Sequence, residues 1–226
     1  MTPRFTNPWG GTFVLIEPGS FFIGEQKHGR DSQELKEIEL TRPFFIGERP
    51  MTQIEWQSIT GTNPAKFSEG WSAGLRPIES VSWLDCQEML ARLNEMDELE
   101  HLGLRGNWRL PTEEEWEYSA RAGSTTRWWF GDDDRDLDEY GWHAGNSGGT
   151  SKEVGQKPAN PWGLMDVHGL VSEWCVNKLG TDESRRIHKG GSWFTESETT
   201  RSAARSSALV DRRSDGIGLR LVWEPF

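Results

Sequence analysis

Cysteine is scarce in this chain of 226 residues: there are two, Cys86 and Cys175, in no Cys-x-x-Cys arrangement. With no export signal in view, two buried reduced thiols are expected rather than a structural disulfide. Long apolar runs are missing as well. No stretch approaches the roughly 18 apolar residues that a membrane span requires, and the start, Met1 to Trp9, has no apolar signal-peptide core. The expectation is a cytoplasmic protein with no membrane association. No Pro/Gly/Ser-rich linker, low-complexity run or internal repeat divides the chain, so one domain over residues 1–226 is expected. Positive charge is in deficit, at a net −11, which repels a phosphate backbone and excludes general nucleic-acid binding. No Gly-x-Ser-x-Gly elbow, phosphate-binding loop or adjacent Cys/His pairing nominates a catalytic class.

What the chain has in quantity is tryptophan, 13 residues, and glycine, 25, against only 34% hydrophobic residues overall. This favours a loop-rich α+β domain, with a core of large flat rings and a backbone held in turns. Charge is unevenly spread: residues 185–226 hold eight Lys or Arg against five Asp or Glu, so the C-terminal segment is basic within an acidic protein. Residues 12–24 read as two short strands around Pro18-Gly19, and residues 36–47 as a further strand. Thr52 with Glu55 and Thr112 with Glu115 have the capping-box spacing. They start helices at Thr52–Thr60, ended by Gly61, and at Thr112, where Glu117 pairs with Arg121 one turn on. Ser82 caps a helix over Trp83–Met96 that presents Leu84, Met89, Leu90 and Leu93. From Gly123 onward the pattern is mostly loops and short strands, closing with a β segment over Ile217–Trp223.

An ordered series of motifs covers nearly the whole chain: Val81-Ser82-Trp83, Arg109-Leu110-Pro111-Thr112-Glu113-Glu114-Glu115-Trp116, Asn160-Pro161-Trp162-Gly163-Leu164-Met165-Asp166, Gly190-Gly191-Ser192-Trp193 and Gly218-Leu219-Arg220-Leu221-Val222. In this order the chain resembles the formylglycine-generating enzyme (sulfatase-modifying factor) family. The resemblance implies a C-type-lectin-like fold of the formylglycine-generating-enzyme subgroup.

The resemblance also implies a calcium loop, held by a side-chain oxygen, two backbone carbonyls and a glutamate at positions that here are Asp166, Gly169, Val171 and Glu173. Two carboxylates and two carbonyls suit a hard, oxygen-seeking cation such as Ca²⁺. Leu170 departs from the Asn that relatives commonly carry there. The alternative is that Asp166 and Glu173 accept backbone N–H bonds or pair with an arginine. The acidic run Asp132 to Glu139 is expected to be a solvated loop.

The family's copper(I)-binding catalytic cysteines fall at Thr195 and Thr200. A hydroxyl cannot replace a soft thiolate, so no copper and no formylglycine generation are expected. The five histidines, His28, His101, His143, His168 and His188, show no metal-ligand spacing. Convergence of His143, His168 and His188 on a redox metal would support the runner-up function, a metal-dependent oxidase acting on a small molecule or peptide.

In relatives the stretch 193–216 lines the substrate groove, and in the variable proteins of diversity-generating retroelements its counterpart carries diversified contact residues. Here Trp193, Phe194, Thr195, Glu196, Glu198, Thr199, Ser206, Ser207, Leu209 and Arg212 form the candidate contact set, framed by residues of fixed character, among them Arg201 as a buried partner for Glu or Asp. Adenine mutagenesis of an AAC codon cannot yield Glu196 or Glu198, which counts against diversification. The preferred reading is a non-catalytic recognition module on a calcium-stabilised scaffold. Its partner is a protein or peptide ligand, bound by the free domain or by a subunit of a larger assembly.

Overall fold

All three long helices begin at the predicted caps. In the computed structural model, which describes residues 2–25, 34–97 and 101–226, α1 is Gln53–Thr60, α2 Trp83–Met96 and α3 Glu113–Arg121. Thr52, Ser82 and Thr112 each accept from the N3 backbone N–H, while Glu55, Asp85 and Glu115 return the bond to the cap. Gly61 ends α1 in the left-handed region, at φ 77°. The buried stripe of α2 is Cys86, Met89, Leu90 and Leu93, and Leu84 faces solvent at 46% exposure. This corrects the expected stripe: Cys86, not Leu84, completes the i, i+3, i+4, i+7 row.

Strands β1 (Arg4–Thr6), β2 (Thr12–Ile16), β3 (Gly19–Ile23), β4 (Lys36–Leu40) and β5 (Phe44–Gly47) occupy the N-terminal part, and β6 (Gly106–Arg109) lies between α2 and α3. The single strand expected over 36–47 is two strands, because Thr41-Arg42-Pro43 breaks it and Pro43 has no N–H for a ladder. After the short helix α4 (Leu137–Tyr140) come β7 (Ser172–Leu179), β8 (Asp182–Lys189), β9 (Arg205–Leu209), β10 (Ile217–Gly218) and β11 (Val222–Pro225). β7 and β8, eight residues each, form a hairpin that the short-strand reading of this half missed.

The strands form a five-stranded sheet, β1-β2-β5-β11-β6, a four-stranded sheet, β10-β7-β8-β9, and a separate β3-β4 pair. The predicted C-terminal segment Ile217–Trp223 is therefore split between two sheets. Gly218 permits the crossing, since a Cβ there would stand 2.3 Å from the Ile78 carbonyl oxygen. The core is aromatic, as the composition suggests: Trp108 and Trp223 pack with Phe5, Phe13 and Phe45 beside the five-stranded sheet, and Trp116, Trp128, Trp174 and Trp223 are fully buried. Cys86 and Cys175 are both free and buried.

Buried charge ties α3 to the second sheet. Lys189 on β8, with no exposed side-chain surface, lies 2.9 Å from Glu117 and 3.7 Å from Glu113, and Arg121 closes on Glu117 at 2.8 Å. Arg220 joins the two sheets, donating to Gly47 at 2.9 Å and gripping Glu173 of β7 at 2.8 and 2.9 Å. No helix among the described residues is long and apolar enough to cross a membrane.

Candidate functional site

The candidate stretch leaves β8 through two glycines in the left-handed region, Gly190 at φ 95° and Gly191 at φ 68°. At Gly191 a Cβ would meet Thr200 Cγ2 at 2.8 Å and Thr195 Oγ1 at 3.0 Å, so the absence of a side chain lets these two threonines fold around one point. Both hydroxyls are spent internally. Thr195 Oγ1 accepts from the Ser192 N–H at 2.8 Å and donates to the Ser192 carbonyl at 3.1 Å. Thr200 Oγ1 accepts from the Trp128 indole at 2.9 Å and donates to the Ser197 carbonyl at 2.8 Å. The two positions thus meet in space, and what they present is a closed hydrogen-bond network.

Exposure along the stretch is selective. Ser192, Thr200, Arg201, Ser202, Ala203 and Ala204 are buried, whereas Phe194, Glu196, Glu198, Ser206, Leu209 and Arg212 reach solvent. Arg201 is a core ion-pair partner, as expected, meeting Glu25 and reaching Glu198 Oε2 at 3.1 Å. Glu198 also pairs with Arg127, whose guanidinium lies 4.8 Å from the Trp128 ring. Trp193 is half-buried, with its indole donating to the Asp215 carbonyl at 2.9 Å and its ring edge-on to Phe67 and Phe194. Thr199, half-buried, donates to the Glu196 carbonyl at 2.8 Å within its own turn.

The contact set falls into two pieces. Phe194 to Thr199 belong to the turn around Gly191, beside the acidic loop, with Ser197 bonded to Asp134. Ser206, Ser207 and Leu209 lie on β9, the edge strand of the four-stranded sheet, and Arg212 on the exposed turn that follows. Arg201 and Arg205 do not share a helix: Arg201 closes a 3-10 turn and Arg205 opens β9, where its Nε lies 3.0 Å from Glu113. The sequence reading did not single out Arg185, which reaches across from β8 to bond Ser207, nor Trp71, which stands 98% exposed. The Trp71 loop follows no period that would have marked it.

Among the expected calcium residues, Glu173 is occupied: Arg220 grips both its oxygens and the Trp116 indole donates at 2.6 Å. Asp166 is different. Its Oδ2 accepts from the Gly155 N–H at 2.6 Å, while its Oδ1 is buried with no partner among the described residues. Burial pushes the Asp166 carboxyl up to about 6. One oxygen of a buried carboxylate is thus left without a partner among the described residues. Leu170, where the resemblance expects Asn, holds φ 62°, a left-handed conformation that costs a residue with a side chain about 1–2 kcal/mol.

His143, His168 and His188 do not converge with other ligands on a metal site among the described residues. His168 is buried, with Nδ1 2.8 Å from the Thr200 carbonyl and Nε2 accepting from the Trp129 N–H at 3.3 Å, and burial lowers it to about 3. His188 packs edge-on to Trp174 and is lowered to about 4 by burial and Arg185. His143 pairs with Asp138 at 2.8 Å, and His101 with Asp97 at 2.8 Å. His28 lies outside the described residues. No group of three or more His, Cys, Asp or Glu side chains among the described residues is placed to hold a metal ion. In the acidic run, Asp133 caps and pairs with Arg135 and Asp132 accepts from the Arg127 N–H, which commits both to local turns.

Residues 3–225 match the Sulfatase-modifying factor enzyme 1-like domain. Among curated proteins, the chain is 28% identical to the chaperone protein LppX of Paenibacillus barcinonensis, over 92% of this chain and 88% of that one. It is 30% identical to inactive C-alpha-formylglycine-generating enzyme 2 of Bos taurus, over 64% of this chain and 49% of that protein. Among solved structures, Treponema denticola variable protein 1 superposes with a TM-score of 0.87 at 24% identity, covering 99% of both chains. The α+β, C-type-lectin-like fold of the formylglycine-generating-enzyme subgroup is thereby established.

Proposed function

The chain belongs to the sulfatase-modifying factor family, and on that premise we propose that it is a non-catalytic recognition module, binding a protein or peptide ligand through the surface around residues 193–216. The observation that carries this reading is the state of Thr195 and Thr200. They stand where the family's reactive thiols are expected, they meet around Gly191, and they hold only hydroxyls that are already hydrogen-bonded. Copper(I) has no soft donor there. Around this closed turn, a buried frame carries an exposed mixture of aromatic, acidic, hydroxyl and basic side chains, which suits recognition of a polar partner. That one relative is named a chaperone and another an inactive enzyme supports the same direction.

Calcium is part of the proposal. Asp166 Oδ1, with backbone carbonyls of the 166–173 loop, would hold the ion, and its contribution is to fix the loop beneath the recognition surface. Elemental analysis of protein prepared without chelator, and again after anaerobic loading with ferrous and cuprous ions, tests the reading. Calcium near one equivalent with no retained redox metal is the expected result. A retained equivalent of iron or copper overturns it in favour of an oxidase.

A further inference from the structure

β9 is an edge strand, and its hydrogen-bonding capacity is lopsided. Val210 donates to the Ser184 carbonyl at 2.9 Å, and the register pairs Ser206 with His188 and Ala208 with Arg186. By the alternation of an antiparallel ladder, the even-numbered residues bond to β8, and Ser207 and Leu209 turn their backbone groups outward. The outward acceptors are used: the Ser207 carbonyl takes the Arg185 guanidinium at 2.7 Å and the Leu209 carbonyl takes the Arg212 N–H at 2.9 Å. The outward N–H groups of Ser207 and Leu209 meet no acceptor among the described residues. At Ser207 and Leu209 this edge therefore displays donors while both carbonyls are engaged; Arg205, which opens the strand, also faces outward, and its carbonyl takes no donor among the described residues.

The β6 edge of the five-stranded sheet is treated differently. Trp108 on β6 has its N–H bonded to Asn94 Oδ1 at 2.8 Å and its carbonyl to Asn94 Nδ2 at 2.9 Å, a side-chain cap that blocks strand addition there. Charge at the β9 edge has the same sense as its hydrogen-bonding groups. Arg185 and Arg212 have no carboxylate within 4.0 Å among the described residues, and Arg213 beside them is held by Asp85 at 2.6 Å. Asp182, Glu183, Asp211, Asp85 and Glu88 are acidic side chains of the same region, with Glu183 paired to Lys178 and Asp85 to Arg213, and the whole segment 185–226 is net basic in a chain of net charge −11.

We propose that an extended, acidic segment of a partner protein adds to the β9 edge as a further strand, its carbonyls accepting from Ser207 and Leu209 and its carboxylates meeting Arg185 and Arg212. Donors on the edge ask for acceptors on the guest, and a carboxylate-bearing strand supplies them from both backbone and side chain. Leu209, 47% exposed, gives the guest an apolar contact on one face. The inference rests on the recognition reading and names the ligand class for the β9 part of that surface.

The test uses fluorescein-labelled decapeptides and the intact protein: alternating Glu-Thr, alternating Lys-Thr, and the Glu-Thr peptide with methylated backbone nitrogens. Fluorescence anisotropy is expected to show binding of the Glu-Thr peptide alone. Arg212→Glu, at an exposed side chain, is expected to weaken it about tenfold or more, consistent with the loss of a charge pair worth about 1.4 kcal/mol. Amide hydrogen exchange on the wild-type protein is expected to slow at Ser207 and Leu209 when the peptide is added, which does not depend on any variant folding. Equal binding of the Lys-Thr or methylated peptide, unchanged exchange at both amides, or no binding at all overturns the proposal. Failure here with calcium bound and no redox metal retained leaves the recognition reading standing, whereas a retained redox metal removes that reading itself.

Discussion

Single positions decide what this fold can do chemically. A Cβ on Gly191 would meet Thr195 Oγ1 at 3.0 Å and Thr200 Cγ2 at 2.8 Å, so both positions close on one point, and hydroxyls are donors that copper(I) does not select. The Thr195→Cys/Thr200→Cys double variant is therefore expected to bind about one equivalent of cuprous ion, since paired thiolates are the soft ligands copper(I) selects. Anaerobic titration with a copper(I) chelator as competitor measures this, and a double variant that binds no more than wild type shows that the scaffold has also lost the geometry. His188 decides a different property. Its folded value of about 4 is below the ordinary 6.5, so from pH 6.5 down to about 4 the unfolded chain binds a proton that the folded one refuses. Stability contributed by the neutral ring is full above pH 6.5 and is lost as pH falls through that window, by about 3 kcal/mol at about 1.4 kcal/mol per unit. His188 Nδ1 has no partner among the described residues, so His188→Phe is expected to keep the Trp174 contact and to lower the pH dependence of urea unfolding between pH 6.5 and 4 by about one proton, with His168 still contributing in the same window. An unchanged slope would place the acid sensitivity elsewhere.

At the scale of elements, α3 is attached to β8 by charge. Replacing Lys189 with Met leaves Glu117 with Arg121 alone and strips Glu113 of one of its two cations, at an expected cost of about 3–5 kcal/mol. Adding Glu117→Gln in the same chain is expected to recover part of that loss in chemical denaturation, and a double variant no more stable than the single would show that Lys189 acts by packing against Trp116 instead. The elements themselves were legible where local chemistry specifies them. Thr52-Glu55 and Thr112-Glu115 are capping boxes readable from spacing, and Glu117-Arg121 is an i, i+4 pair. Lys189 was not legible, because its acidic partners lie about 72 residues away and nothing local marks a lysine as buried. The β7–β8 hairpin was obscured for a related reason: Ser172 to Cys175 are all buried while the far end of the hairpin is charged and exposed, so no period of two runs through it. At the candidate surface, the sequence located the stretch 193–216 but not its division into a closed turn and an open strand edge, since that depends on which carbonyls Arg185 and Thr195 engage.

Across the whole molecule, both sheets and the 166–173 loop meet at one set of buried charges. Arg220 bonds Gly47 of the first sheet, Glu173 of the second and the Met165 carbonyl beside Asp166. A loop so tightly held should leave no buried oxygen unpaired, yet Asp166 Oδ1 has no partner among the described residues, and an unmet carboxylate oxygen costs about 1–3 kcal/mol or more. A bound calcium ion would remove that cost and couple loop order to the stability of both sheets, because it binds the folded state alone. Adding chelator to the wild-type protein is therefore expected to lower Tm by several degrees, at roughly 2–4 °C per kcal/mol for a chain of this size. Asp166→Asn keeps an acceptor for Gly155 while removing the charge, and its Tm is expected to be insensitive to chelator. Equal melting of the wild type with and without chelator would remove calcium from the scaffold and leave Arg220 and Glu173 as its organising pair.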